Sequence, residues 1–176
     1  MKITKSLFGI LTITAALAIQ VHAQTLLTNG LVAYYPFNGN ANDESGNGND
    51  GTIVGATATA DRFGVVTKAY RFNGTSDYIQ VGDKPQLRMT TALTISTWIN
   101  PNKATDVQMI VNKEGEYWFG VVQGKLSCAL ATSDSSLFAE YDTTTLIPTA
   151  RWTHVVMSFN AGNLALYVNK IGRAHV

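Results

Sequence analysis

Apolar residues alternate with polar ones along most of the chain between residues 31 and 168. A period of two puts successive side chains on opposite faces of a β-strand, and no window of a dozen residues keeps the stripe of an amphipathic helix. The alternating segments are short and are separated by Gly, Asn, Asp or Thr, a spacing that predicts an antiparallel all-β sandwich or barrel. The predicted strands are Leu31 to Phe37, Gly51 to Val54, Ala69 to Phe72, Tyr78 to Val81, Leu93 to Ile99, Val107 to Val111, Tyr117 to Val122, Leu126 to Leu130, Leu137 to Tyr141, Trp152 to Phe159 and Leu164 to Val168.

Two of these segments are apolar on both faces and are therefore predicted to be central strands. In Leu93 to Ile99, Trp98 lies on the face opposite the aliphatic residues, and Trp152 to Phe159 is apolar on both sides. The segment around Glu140 and Asp142 has one polar face instead, which predicts an edge strand or a solvent-facing strand.

The first 23 residues have the features of a secretory signal peptide. Lys2 and Lys5 precede an apolar stretch from Leu7 to Ala18, and Val21 to Ala23 offers small-residue cleavage chemistry before Gln24. We therefore expect residues 1–23 to be removed, residues 24–30 to be a short leader, and the protein to be secreted or held at the cell surface.

Charge and length limit the partners. The 176 residues allow one domain, and 13 Lys and Arg against 12 Asp and Glu give a net charge of +1 with no basic run. Nucleic acid is excluded as a partner because its binding requires clustered positive charge. No apolar run after the signal is long enough for a membrane span.

The last residues, Ile171 to Val176, read as foreign. Their sequence, IGRAHV, is what a common sequencing-adapter oligonucleotide encodes. We therefore expect residues 170–176 to be a non-native tail and the domain, residues 31–169, to be incomplete at its C-terminal side.

The segment Asn38 to Thr52 is the compositional outlier, because most of its residues are Asn, Gly or Asp. One interpretation is a tight loop, since these residues tolerate positive φ and bond their own backbone. The other is a calcium site, because Asp43 and Asn47 occupy the first and fifth places of an EF-hand-like loop. The twelfth place is Val54 rather than Glu, so a complete EF-hand is excluded.

Three further residues are of types that can take part in catalysis or ligand binding. Cys128 lies in an alternating apolar segment and is predicted to be a buried hydrophobe, and His154 is predicted to be a structural histidine. Flat rings stack on sugar faces, and Tyr117 is the candidate for ligand contact in the run Tyr117 to Phe119.

Six segments in order resemble the laminin-G-like, concanavalin A-like jelly rolls of secreted bacterial proteins. They are GLVAYYPF from Gly30, DESGNGNDGT from Asp43, AYRFNGTSDYIQV from Ala69, LTISTWI from Leu93, RWTHVVMSF from Arg151 and LALYVN from Leu164. The resemblance implies a two-sheet antiparallel jelly-roll sandwich that binds sugars or protein surfaces, with further strands beyond Asn169. It also implies calcium near one rim, with Asp43 and Asp77 as ligands and Asn47 as a carbonyl donor; a turn role for Asp77 is the alternative.

The same fold also serves glycoside hydrolases, which need a pair of carboxyl groups flanking the scissile bond. Glu140 and Asp142 are followed by threonines rather than by a third acid, and Glu114 and Glu116 flank a glycine that favours a turn. No catalytic residue is therefore assigned.

These observations predict a non-catalytic extracellular recognition module, assisted by calcium, whose partner is a carbohydrate or a cell-surface protein. Two alternatives remain open: an ancillary domain of a secreted polysaccharide-degrading enzyme, or a structural spacer in a surface protein.

Overall fold

The computed structural model describes residues 29–88, 91–103, 105–131 and 138–169, and in the last range it describes side chains from residue 143 onward. Chain contacts separate a segment ending at Gly30 from a compact unit that begins at Leu31, and the architecture below is that of the second unit. The predicted signal peptide, nearly all of the predicted leader and the predicted non-native tail lie outside the described residues.

The described part of the chain forms eleven β-strands and one short 3-10 helix. They are β1 (Gly51–Val54), β2 (Thr57–Thr59), β3 (Ala69–Arg71), β4 (Tyr78–Val81), η1 (Pro85–Leu87), β5 (Ala92–Ile99), β6 (Val107–Lys113), β7 (Tyr117–Val122), β8 (Lys125–Ala131), β9 (Phe138–Leu146), β10 (Thr153–Asn160) and β11 (Asn163–Val168). None of the helices within these ranges is long and apolar enough to cross a membrane.

Two larger sheets pack against each other, and every strand pair is antiparallel. One has the order β11-β10-β5 and the other the order β6-β7-β8-β9; β1 pairs with β4, and β2 with β3. The predicted two-sheet antiparallel sandwich is confirmed. β9 lies at a sheet edge and β10 in a sheet centre, as the alternation indicated.

The core lies between these two sheets and is built from the alternate residues that the period of two places inside. Phe119 on β7, Cys128 on β8 and Met157 on β10 are each 0% exposed. Removing this apolar surface from water is the main driving force for the fold, at roughly 25 cal/mol per Å². The buried cluster comprises Tyr117, Phe119, Val121, Leu126, Cys128, Leu130, Ile147, Val155 and Met157.

Two predictions about strands were wrong. Leu31 to Phe37 is not a strand, and its backbone bonds to the following loop instead: Tyr34 N donates to Asp43 Oδ1 at 2.9 Å and Tyr34 O accepts from Glu44 N at 2.8 Å. β5 is not central, since among the described strands it pairs with β10 alone. The apolar residue on its second face is Trp98, whose ring lies on the outer side of the sheet and is 36% exposed.

Candidate functional site

The outer face of the β11-β10-β5 sheet carries hydroxyl groups beside aromatic rings. Leu93, Ile95 and Ile99 turn to the core, so the intervening residues of β5 turn outward. Thr94 lies opposite Ser158 on β10, and their hydroxyl oxygens are 3.1 Å apart. The outward residues of the three strands are Thr94, Ser96, Trp98, His154, Val156, Ser158, Ala165 and Tyr167.

Trp98 is the centre of an aromatic stack at one end of this face. It is 36% exposed, and its ring lies opposite His154 with centroids 5.2 Å apart and planes at 40°. The guanidinium carbon of Arg62, from the loop between β2 and β3, is 4.5 Å from the Trp98 ring centroid and 4.2 Å from that of Phe63. These contacts fix the Trp98 ring without burying it. We call Arg62, Phe63, Ser96, Trp98 and His154 the aromatic patch.

His154 is the most constrained titratable group of the aromatic patch. Its Nε2 is 2.9 Å from the Ser96 hydroxyl, while its Nδ1 is buried and has no hydrogen-bond partner among the described residues. Burial, and then the positive charge of Arg62, lower the pKa of His154. The ring is therefore neutral at neutral pH, and one of its two nitrogens is buried without a hydrogen bond to a described residue. His154 was predicted to be structural; its Nδ1 nevertheless has no hydrogen bond to a described residue.

The Asn-rich segment forms the tight loop of the first interpretation. The Asp43 carboxylate accepts hydrogen bonds from the backbone N–H groups of Tyr34 and Ser45, both at 2.9 Å, and of Asn49 at 3.0 Å. Burial alone would raise the pKa of Asp43, but these donors and the Ser45 side chain lower it to about 2. Asp43 therefore organises the loop through its own backbone.

The structure does not bring Asp77 together with Asp43, the other acidic residue predicted to bind calcium. Asp43 lies in the loop that leads into Gly51, whereas Asp77 lies beside Gly55 at the other end of the β1–β4 pair. Asn47 uses its Nδ2 to donate to Leu31 O at 2.9 Å. Within the described ranges, no cluster of three or more His, Cys, Asp or Glu side chains is placed to hold a metal ion.

Asp77 takes part in the turn between Asn73 and Asp77, which was the alternative interpretation of this residue. Its Oδ2 accepts a hydrogen bond from Asn73 N at 2.8 Å, and Asn73 Oδ1 accepts one from Asp77 N at 3.1 Å. Calcium binding by this chain stays a prediction, without an assigned set of ligands.

The structure places Tyr117, the predicted ligand contact, in the core. Tyr117 is 6% exposed, belongs to the core cluster and donates its hydroxyl to Leu87 O at 2.9 Å. Alternation along β7 then places Trp118 on the outer face of the β6-β7-β8-β9 sheet, where it is half-buried. Alternation along β5 places Trp98 on the face opposite the aliphatic residues of the strand. This pattern makes Trp98 a better candidate for ligand contact than Tyr117. No sequence pattern connects Arg62 with it.

The two acidic pairs lie away from the aromatic patch. Glu114 and Glu116 lie in the turn between β6 and β7, as predicted, and a Glu116 carboxylate oxygen is 3.7 Å from Lys113 Nζ. Glu140 and Asp142 lie on β9, in register with Ala129 and Ser127 of β8, in the sheet that does not carry the aromatic patch.

Two antiparallel sheets over one apolar core define an all-β sandwich. The model of the concanavalin A-like lectin/glucanases superfamily, of the laminin G type, matches residues 73–174. The chain belongs to this superfamily. No curated protein sequence is similar enough to this chain to count as a relative.

Several solved structures share the fold. The binding domain of Paraclostridial Mosquitocidal Protein 1 superposes with a TM-score of 0.67 at 18% identity, over 82% of this chain and 39% of that one. Domain 4 of AbnA, an extracellular GH43 arabinanase from Geobacillus stearothermophilus solved with arabinotriose, gives 0.59 at 26% identity, over 79% and 71%. The receptor binding domain of botulinum neurotoxin C/D mosaic serotype gives 0.60 at 14%, over 85% and 40%. This chain therefore spans about two fifths of the length of either toxin domain, and those two likenesses show the fold alone.

Proposed function

We propose that this domain is a non-catalytic carbohydrate-binding module and that the aromatic patch, with the hydroxyl groups beside it, is its sugar-binding surface. The observation that carries the proposal is Trp98, a large ring held in place by Arg62 and His154 yet 36% exposed. A fixed and partly exposed ring loses little conformational freedom when a ligand stacks on it.

The chemistry of the outer face suits a sugar. Carbohydrates present apolar C–H faces, which pack on aromatic rings, and hydroxyl groups, which need hydrogen-bond partners. Thr94, Ser96 and Ser158 supply hydroxyl groups that can both donate and accept. His154 Nδ1 adds a buried polar atom without a partner among the described residues. Groups of this kind are normally satisfied by a ligand or an ordered water.

The surface is also wide enough for an oligosaccharide. Trp98 on β5 and Tyr167 on β11 are separated by the whole width of the sheet, because β10 lies between the two strands. Neighbouring strands are about 4.8 Å apart, so these two rings flank a face roughly 10 Å across. The proposal therefore concerns a short chain of sugars rather than a single enclosed monosaccharide.

A location outside the cell is part of the proposal. The predicted signal peptide at residues 1–23 supports export, and the arabinanase that contains the similar domain 4 is extracellular. That same likeness, at 26% identity, favours the second candidate function, an ancillary domain that holds a polysaccharide-degrading enzyme on its substrate. Both candidates require sugar binding by this domain, so one experiment tests the shared part.

The test compares Trp98→Ala with Trp118→Ala. We expect the full chain to bind at least one polysaccharide in a panel that includes arabinan, measured by affinity electrophoresis and then by calorimetry. Trp98→Ala should weaken binding by at least about tenfold, equivalent to about 1.4 kcal/mol. Trp118→Ala makes the same truncation on the outer face of the other sheet and should leave affinity unchanged.

Three results would contradict the proposal. Loss of binding in Trp118→Ala alone would move the site to the other sheet. Full affinity in Trp98→Ala would show that the aromatic patch does not bind the sugar. Absence of binding to every polysaccharide would favour the structural spacer.

A further inference from the structure

Arg62 is a stacked guanidinium that forms no ion pair with another described residue. It lies over the Phe63 and Trp98 rings, its charge acts on His154, and Asp61 precedes it in the sequence. The ion pairs formed by the described residues join Asp83, Arg88, Lys113 and Glu116 to one another and do not include Arg62.

The carboxylate nearest in sequence is engaged in its own loop. Asp61 Oδ1 accepts hydrogen bonds from Phe63 N and Val65 N, both at 2.9 Å. These bonds shape the turn that carries Arg62 and leave Asp61 outside any ion pair with it. The loop therefore presents a positive charge that is not neutralised by a described residue.

Stacking leaves the useful part of the guanidinium exposed. When aromatic rings cover the flat face of a guanidinium, its N–H groups still point outward in the plane, in the fork that matches a carboxylate. Arg62 is exposed, and the rings restrict its long side chain, so less entropy is lost when a ligand is bound. A charged, planar and bidentate hydrogen-bonding group thus lies at the edge of the sugar-binding surface.

We propose that Arg62 makes this surface selective for acidic sugars, with its guanidinium binding the carboxylate of a uronic acid unit while the neighbouring ring packs on Trp98. This inference rests on the proposed function and assigns its ligand class. A sugar is favoured over an acidic peptide because the Ser96 hydroxyl adjoins His154 and the hydroxyl groups of Thr94 and Ser158 lie farther along the same outer face.

The charge of the whole molecule does not supply this preference. The chain carries 13 basic and 12 acidic residues, so it has no general attraction for polyanions. His154 is neutral at neutral pH because burial and Arg62 lower its pKa. Arg62 is therefore the group of the aromatic patch that carries positive charge at neutral pH. Its replacement by a neutral residue should abolish the preference for acidic over uncharged sugars.

The experiment uses a matched pair of ligands and a matched pair of variants of the full chain. Trigalacturonate and its methyl-esterified form share a ring skeleton and differ in charge. Arg62→Gln is compared with Arg88→Gln, which makes the same change at an arginine already paired with Asp83 at 3.0 Å. We expect the full chain to bind the acid at least about tenfold more tightly than the ester, because hydrogen bonds to charged groups are the stronger kind. Arg62→Gln should bind both equally, and Arg88→Gln should keep the preference.

The outcomes separate this inference from the proposed function. Equal affinity of the unmodified chain for acid and ester overturns the acidic preference and leaves sugar binding intact. Loss of binding to both ligands, together with failure on the wider polysaccharide panel, overturns both proposals. A glutamate-rich peptide that binds through Arg62 as tightly as trigalacturonate would show that the carboxylate comes from a protein, which would also overturn the inference. Thermal unfolding of each variant confirms that the fold is retained.

Discussion

Asp43→Asn tests whether one carboxylate holds together the loop that precedes β1. The substitution keeps the size of the side chain and replaces one oxygen with an NH2 group. Oδ1 can still accept from Tyr34 N and Ser45 N, but without the negative charge. The new amide nitrogen would then face the N–H of Asn49, a residue that is 0% exposed.

The cost follows from these contacts. A buried donor left without an acceptor costs about 1–3 kcal/mol, and hydrogen bonds to a charged acceptor are roughly twice as strong as neutral ones. We therefore expect Asp43→Asn to lower the free energy of unfolding by about 2–3 kcal/mol at neutral pH. Domains of this kind are stable by only about 5–15 kcal/mol, so the change is large enough to measure.

The effect should depend on pH in a defined direction. The pKa of Asp43 falls from its ordinary value of 3.8 to about 2 on folding, so its ionised form is the one the native state stabilises. That stability is complete above about pH 4 and is lost as the pH falls towards about 2. Solvent screens this loop, so we expect the ionisation to contribute about 1–2 kcal/mol rather than the full equivalent of the shift.

Urea unfolding followed by tryptophan fluorescence measures both effects. The control is Asp106→Asn, which makes the same chemical change in an exposed turn whose φ of 71° asparagine tolerates. The control should stay within about 0.5 kcal/mol of the unmodified chain. The reasoning fails if Asp43→Asn also stays within that range, or if its deficit at about pH 7 persists undiminished at about pH 2.

Three further predictions concern packing and metal. Gly120→Ala should lower the free energy of unfolding by about 1–3 kcal/mol in urea, because a Cβ there would lie 2.6 Å from the carbonyl oxygen of Gln108; an unchanged midpoint would contradict this. Met157→Ala should cost about 2–5 kcal/mol by the same assay, since the side chain is 0% exposed in the core, and a loss below about 1 kcal/mol would mean that the site collapses around the cavity. Free calcium should raise the Tm relative to chelator, because a cation that binds the folded state alone stabilises it; an equal Tm in calcium and in chelator would contradict calcium binding by this chain.

The parts of the fold that depend on side-chain burial could be read from the sequence. Alternation divides the side chains of a strand between its two faces, and the hydrophobic effect buries the more apolar face. Phe119 and Cys128 lie in the core for this reason. Strands β1, β4 and β7 have the predicted bounds for the same reason.

Backbone partners could not be read in this way. Leu31 to Phe37 alternates like a strand, yet Val32 O accepts hydrogen bonds from the side chains of Asn47 and Asn49 at 3.0 and 2.9 Å. Alternation reports where side chains point and carries no information on which groups bond the backbone. β2 was missed because Thr57 to Thr59 contains no large apolar residue.

The candidate site was less predictable than the fold, because its members come from separate elements. In the run Tyr117 to Phe119, alternation separates the two faces but does not tell which one is the core, and the structure buries Tyr117. Trp98 could be placed on the outer face by its position in β5. Its contact with Arg62 depends on how a hairpin loop lies over a sheet, which no local pattern encodes.

The pairing of β5 with β10 also bears on how fast the domain forms. This ladder joins Ile99 to Thr153 and Ala92 to Asn160, so its partners are far apart in the sequence, whereas β7–β8 and β10–β11 are hairpins closed by tight turns. The chain must lose the conformational entropy of the intervening loop before such distant contacts stabilise it, and proteins that rely on these contacts fold slowly. The hairpins should therefore assemble first and the β5–β10 ladder should close late, so that Trp98, His154 and Arg62 come together only as folding is completed.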